Sequence, residues 1–197
     1  MFGFYNRIIT IDMSCLNFLI EPLSDSVLSE VLGGKGLATR LLLERNPPGA
    51  APLGEENHLI FATGPFCQNR IWGGSRYGVF TKSPLTGFYA ESYSGGRVPE
   101  AIDSTGFDAI LIRGRAEKPT AVSIGPDGAT FHDADSLWGK DVFETEKASL
   151  ELFSSSRDSS GKPGAVVIGP AGENLVRYAI IANDKWRCAG RTGVGAV

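Results

Sequence analysis

Leu59-Ile60-Phe61-Ala62-Thr63-Gly64-Pro65 is the stretch on which the fold turns. A short apolar run closed by Gly-Pro reads as a buried strand ending in a turn. A second stretch, Ala165-Val166-Val167-Ile168-Gly169-Pro170, has the same form. Each is followed by Arg-Tyr opening another apolar strand, Arg76-Tyr77-Gly78-Val79-Phe80 and Arg177-Tyr178-Ala179-Ile180-Ile181. The pair reads as a duplicated strand–turn–strand unit, with chance similarity of two apolar strands as the alternative. Such a duplication puts two glycine-rich turns on related edges, a pair of cradles for a roughly symmetric ligand. The expected fold is α+β: two related β-sheets with flanking short helices, one domain over 1–197.

Working outward, residues 7–22 read as a strand pair turning at 14–17. Ser24 or Asp25 caps a helix over Ser26–Leu32, and Gly33-Gly34-Lys35-Gly36 breaks it before a second helix, Leu37–Arg45. Residues 76–82 and 86–92 form a hairpin around Ser83-Pro84-Leu85-Thr86-Gly87. Gly95-Gly96 opens a helix with Pro99 in its first turn. Short strands follow at Asp108–Arg113, Ala121–Ile124 and Thr130–His132, then an amphipathic helix over Asp141–Phe153. Ser154–Pro163 is linker-like, and Ala165–Ile168 and Val176–Ile181 are strands.

The chain has 197 residues, 42% hydrophobic and 21% charged, which suits a globular protein with a real core. A net charge of -3 argues against nucleic-acid binding, which wants a basic face. No apolar window approaches the ~18 residues of a membrane span, and no signal peptide opens the chain, so cytoplasm is the expected compartment. Cys15, Cys67 and Cys188 lie far apart, as three reduced thiols without a CxxC pair for zinc or an iron–sulfur cluster. His58 and His132 are isolated, and Glu55-Glu56 and Asp133/Asp135 read as solvated turns. No catalytic residue is assigned.

Glycine is in excess, with 25 residues clustered at 33–36, 73–74, 95–96 and 190–195. The ending Arg187-Cys188-Ala189-Gly190-Arg191-Thr192-Gly193-Val194-Gly195 sets two arginines among three glycines. Glycines free backbone N–H groups for an anion, and arginine adds a planar charged fork suited to phosphate. The order is neither the Rossmann fingerprint nor a Walker A loop. Gly73-Gly74-Ser75-Arg76 and Tyr93-Ser94-Gly95-Gly96-Arg97 repeat the theme. A structural loop, an ordinary β-turn and a plain Ser94 cap are the respective alternatives. Three such segments in one chain favour a polyanion cradle.

Several segments resemble the N-terminal domain of tungsten-containing aldehyde:ferredoxin oxidoreductases. They are Gly33-Gly34-Lys35-Gly36-Leu37-Ala38, Thr81-Lys82-Ser83-Pro84-Leu85-Thr86-Gly87-Phe88, Asp108–Gly114, Gly169-Pro170-Ala171-Gly172-Glu173-Asn174-Leu175-Val176 and the ending Arg187–Val197. The resemblance implies a bis-pterin cofactor carrying tungsten or molybdenum (tungstopterin or molybdopterin), with its phosphates bridged by magnesium. It puts Arg76, Tyr93, Gly95, Arg187, Cys188, Gly190 and Arg191 against the cofactor, with the Tyr93 and Cys188 carbonyls on magnesium. The family usually has Asn where this chain has Tyr93, and Ala where it has Cys188. The 4Fe-4S cluster, the acid–base groups and the substrate pocket belong to later domains of the family, so the expectation is a fragment or a separate subunit. By itself this chain is expected to be inactive. The implied partners are those C-terminal domains or a partner subunit, ferredoxin for the complete enzyme, and a homo-oligomer mate. A non-catalytic binding or scaffold module for a phosphorylated ligand or pterin is the alternative.

Overall fold

The computed structural model describes residues 1–67, 69, 71–153 and 162–197. Most of the linker-like stretch expected at 154–163 therefore lies outside the described residues. Six strands make the frame: β1 (Arg7–Asp12), β2 (Asn17–Pro22), β3 (Leu59–Thr63), β4 (Tyr77–Lys82), β5 (Tyr89–Ser94) and β6 (Ala109–Arg113). They lie in the order β2-β1-β6-β3-β4-β5. All neighbours are antiparallel except β1 and β6, which run parallel.

Successive side chains of a strand point to opposite faces, so a sheet covered on both sides needs apolar residues in unbroken runs. That is what β3 and β6 supply. Ile8, Ile60, Phe80 and Leu111 pack on one face against helices α1 (Asp25–Val31) and α2 (Gly34–Arg45). Their chain neighbours Ile9, Phe61, Val79 and Ile110 pack on the other, against Val98 and Ile102 of α3 (Val98–Ser104) and against Ile181, Ala189 and Val194. The sheet is thus the middle layer, and its second face anchors the C-terminal segment.

Local chemistry sets the ends. Ser24 caps α1 by accepting the Val27 N–H. Helix α2 begins at Gly34, inside the glycine run and ahead of the expected Leu37, because Gly33 takes the turn in a left-handed conformation (φ 76°). Leu37, Ala38, Leu41 and Leu42 then face the sheet. Beyond the sheet stand a hairpin, β7 (Thr120–Gly125) with β8 (Gly128–Asp133), the helices α4 (Val142–Phe153) and α5 (Pro170–Glu173), and a second small hairpin, β9 (Ile181–Asn183) with β10 (Arg187–Ala189).

Three expectations are corrected. The segment Ala165–Ile168 makes a single bridge, Val167 to Ala182, where a strand was expected. Residues 176–180 run through a turn, since Val176 bonds back to Ala171 and Ala179 to Val176, and the strand begins only at Ile181. The second half of the proposed repeat therefore lacks the full ladder that joins β3 to β4. Helix α3 starts at Val98 with Arg97 as its cap, and Pro99 lies in its first turn. Gly95-Gly96 does not open it, because Ser94 completes β5 and Gly96 turns the chain at φ 96°. Among the described residues no helix is long and apolar enough to cross a membrane.

Leu111 is fully buried in the central strand β6. Leu111→Ala is expected to cost about 2–5 kcal/mol of stability, read from the denaturation midpoint. A loss below about 0.5 kcal/mol, the range of surface changes, would contradict this core assignment.

Candidate functional site

Strand β5 is the free edge beyond β4. The Ser83 N–H donates to the Phe88 carbonyl at 2.8 Å, which sets the phase of the β4–β5 ladder. Thr81–Ala90, Val79–Ser92 and Tyr77–Ser94 are then the hydrogen-bonded pairs, and the pairs between them are not. The N–H and C=O groups of Tyr89, Glu91 and Tyr93 consequently point away from β4, toward the free edge. The β9–β10 hairpin has the same property. Ala182 exchanges both its backbone bonds with Val167, at 2.8 and 2.9 Å, so its partner Cys188 turns its N–H and C=O outward.

The two edges are held close. Ser92 Oγ donates to the Gly190 carbonyl at 2.7 Å, across 98 residues of sequence. Ser83 Oγ donates to the Thr192 carbonyl at 2.6 Å. These bonds seat a tight loop in which Arg191, Thr192 and Gly193 are all left-handed, with φ 59°, 43° and 83°. Such a conformation disfavours a β-branched residue like Thr192, and the surrounding contacts must hold it. Gly193 allows it, because a Cβ there would collide with the Arg177 carbonyl.

Arg76 and Arg187 meet across Gly95. A Cβ built on Gly95 would stand 3.5 Å from Arg76 Cδ and 3.7 Å from Arg187 Nη1. Glycine keeps that space between the two side chains open. Arg76, Arg187 and Arg191 are exposed, and among the described residues none of them is ion-paired. Arg97, by contrast, is committed to Asp184 at 3.1 Å. The structure thus brings Arg76, Gly95 and Arg187 together. Tyr93, Cys188, Gly190 and Arg191 stand on the adjoining edge strand, hairpin and loop.

The side chain of Tyr93 leaves that edge clear. Its ring packs edge-to-face on Phe80 at 5.8 Å, on the α2 side of the sheet. Its hydroxyl donates to Glu91 Oε2 at 3.4 Å, and the same oxygen takes Lys35 Nζ at 2.7 Å. Lys35, Arg76, Phe80 and Tyr93 help to line a cleft of about 290 Å³. A larger cavity of about 970 Å³ lies on the other sheet face under β7 and β8, and none of the expected site residues lines it.

One buried residue that sequence reasoning missed ties these parts together. Asn183 is fully buried, accepting from Tyr77 Oη at 2.9 Å and Ser94 Oγ at 2.8 Å, and donating to the Gly95 carbonyl at 2.9 Å and Asp184 Oδ2 at 3.0 Å. Burial holds the Tyr77 phenol well above its ordinary pKa, so it stays a donor. The histidines have structural partners. His58 Nδ1 bonds Asn46 Oδ1 at 2.8 Å and burial lowers its pKa, while His132 bonds Ser123 at 3.0 Å and stacks on Phe153. Among the described residues no group of three or more His, Cys, Asp or Glu side chains could hold a metal ion.

Residues 8–197 match the family model described as aldehyde ferredoxin oxidoreductase, N-terminal domain. The chain belongs to this family. Over all of its 197 residues it is 42% identical to the tungsten-containing aldehyde ferredoxin oxidoreductases of Thermococcus kodakarensis and Pyrococcus furiosus, spanning 32% of each. It is 30% identical to a WOR-like subunit of an aliphatic sulfonate oxidoreductase from Pyrococcus furiosus, spanning 33% of it. Among solved structures, the active site complex BamBC of benzoyl coenzyme A reductase matches with a TM-score of 0.91 and 30% identity, over 99% of this chain and 29% of that one. Aldehyde ferredoxin oxidoreductase relatives are therefore about three times as long as this chain.

Asp184 gives this family member a pH signature. Burial pushes its carboxyl up, but bonds from the Arg97 N–H, Asn183 and the Arg97 guanidinium outweigh that and hold its pKa below the ordinary value. A lowered folded pKa adds stability above the ordinary carboxylate range and loses it as pH falls through the lowered value. Thermal midpoints of the parent and Asp184→Asn are expected to differ most near neutrality and to converge on acidification. A gap that stays constant with pH would contradict this.

Proposed function

We propose that the Arg76–Gly95–Arg187 cradle and the Arg191 loop hold a bis-pterin cofactor carrying tungsten or molybdenum. The observation that carries this reading is the meeting of two arginines, without carboxylate partners among the described residues, across a glycine. Like charges repel, so an anion bound between Arg76 and Arg187 would relieve the cost of placing them on either side of Gly95. A guanidinium fork can take two phosphate oxygens at once. Gly95 and Gly190 let the ligand come close to the backbone. The outward carbonyls of Tyr93 and Cys188 are hard oxygens, the donor class that magnesium takes, and would hold such an ion beside the cofactor. The Tyr93 phenol and the Cys188 thiol would not be needed for that role.

When bound, the metal supplies the two-electron chemistry that turns an aldehyde and water into a carboxylic acid, two protons and two electrons. This chain's residues hold the cofactor, fix its orientation and neutralise its phosphates. The 4Fe-4S cluster, the acid–base groups and the docking site for ferredoxin come from the further length found in relatives, whether in the same polypeptide or in a partner subunit. Relatives bearing this same region are named for aldehydes, aliphatic sulfonate and glyceraldehyde-3-phosphate. We therefore place substrate choice outside residues 1–197. We place the protein in the cytoplasm, with Cys15, Cys67 and Cys188 as reduced thiols.

Tungsten, molybdenum and pterin analysis of protein purified without oxygen tests this. The parent is expected to carry about two pterins per metal, and Arg76→Ala and Arg187→Ala are expected to lose most of both while changing stability by no more than about 0.5 kcal/mol, as exposed substitutions do. Full cofactor in both variants would contradict the proposal.

A further inference from the structure

We propose that Asn183 is a positioning residue that holds the cradle in its binding geometry. The inference rests on the cofactor reading above. Among the described residues neither arginine is fixed by an ion pair, so their relation depends on the backbone between them. Arg187 stands on β10, across the hairpin from Asn183, its register partner. Arg76 stands just ahead of β4, whose Tyr77 pairs with Ser94. The Ser94-Gly95-Gly96 turn is the point where the six-stranded sheet and the hairpin meet.

A carboxamide can make four strong hydrogen bonds, two through each end. Asn183 makes all four, and each reaches a different residue. Tyr77 and Ser94 donate to its oxygen from β4 and β5. Its nitrogen donates to the Gly95 carbonyl and to Asp184. Asp184 in turn accepts the Arg97 N–H at 2.7 Å, just past the turn. The turn is therefore gripped at its Gly95 carbonyl and just beyond Gly96, and both grips pass through Asn183 or its neighbour. Gly96 has φ 96°, and a Cβ there would strike the Asp184 carboxylate. Its left-handed turn aims the Gly95 carbonyl inward at Asn183 and leaves the Gly95 α-carbon facing Arg76 and Arg187. Removing the carboxamide frees that carbonyl and loosens the space between the arginines, although Asn183 is itself fully buried.

Tyr77→Phe makes the decisive control. It removes one bond to Asn183 but leaves the bond from Asn183 to Gly95 in place. Asn183→Ala and Tyr77→Phe are compared with the parent, each as the protein is naturally made, with two readouts. Amide hydrogen exchange at residues 95–97 is expected to rise about tenfold in Asn183→Ala, the scale of one lost hydrogen bond, and to stay within about twofold of the parent in Tyr77→Phe. Metal and pterin per chain are expected to fall in Asn183→Ala and to hold in Tyr77→Phe. If Asn183→Ala does not accumulate, Asn183→Asp, which loses the nitrogen donors and keeps an acceptor, is read by the same criteria. Unchanged exchange at 95–97, or equal cofactor loss in both variants, overturns the proposal. If the parent itself lacks pterin, the cofactor reading falls, and the exchange comparison decides the role of Asn183 by itself.

Discussion

Three side chains hold three backbone carbonyls, and the rest of the site depends on them. Ser92 takes Gly190, Ser83 takes Thr192 and Asn183 takes Gly95, across 98, 109 and 88 residues of sequence. Each bond adds only about 1 kcal/mol net. Their importance is geometric, because they fix the C-terminal loop against the free edge of the sheet. Ser83 is fully buried and also accepts the N–H groups of Leu85 and Thr86, so the turn that carries it is itself rigid. The strained run Arg191-Thr192-Gly193 persists only under such restraint.

Burial and charge divide the labour. The sheet is apolar on both faces, and its second face receives Ile181, Ala189 and Val194, which seats the hairpin and the loop. Arg97 and Lys35 are satisfied by Asp184 and Glu91. Among the described residues Arg76, Arg187 and Arg191 have no carboxylate partner. The same register that buries Thr81, Ser92 and Ser94 turns the Tyr93 carbonyl out, so anchoring and the exposure of that carbonyl follow from one two-residue period.

Much of this was legible in the chain. Strands at 58–63, 76–82 and 108–113 stand out, each within a residue of the observed start, because two-sided burial demands apolar runs. The glycine–arginine clusters stand out because nothing in a plain loop calls for both residues. The adjacency of Arg76, Gly95 and Arg187 follows from the order of elements only after the fold is known. Residues 165–181 misled, since an apolar run states burial and not pairing. Here Val167 makes a single bridge, Leu175 at φ 55° turns the chain, and the ladder starts only at Ile181. Asn183 was invisible because a buried Asn at a strand end looks like an ordinary turn residue. The nearest signal was the inward series Ala90, Ser92, Ser94 on β5, small polar groups where a core strand would carry bulk. That pattern marks a face packed against backbone.

The most direct test is a crystal structure of the protein purified without oxygen, with anomalous data at the tungsten and molybdenum absorption edges. The account predicts pterin phosphates against the Arg76 and Arg187 guanidinium groups, and a bridging ion on the carbonyls of Tyr93 and Cys188. A pterin seated away from Gly95, or phosphates neutralised by other residues while these arginines face solvent, would contradict it.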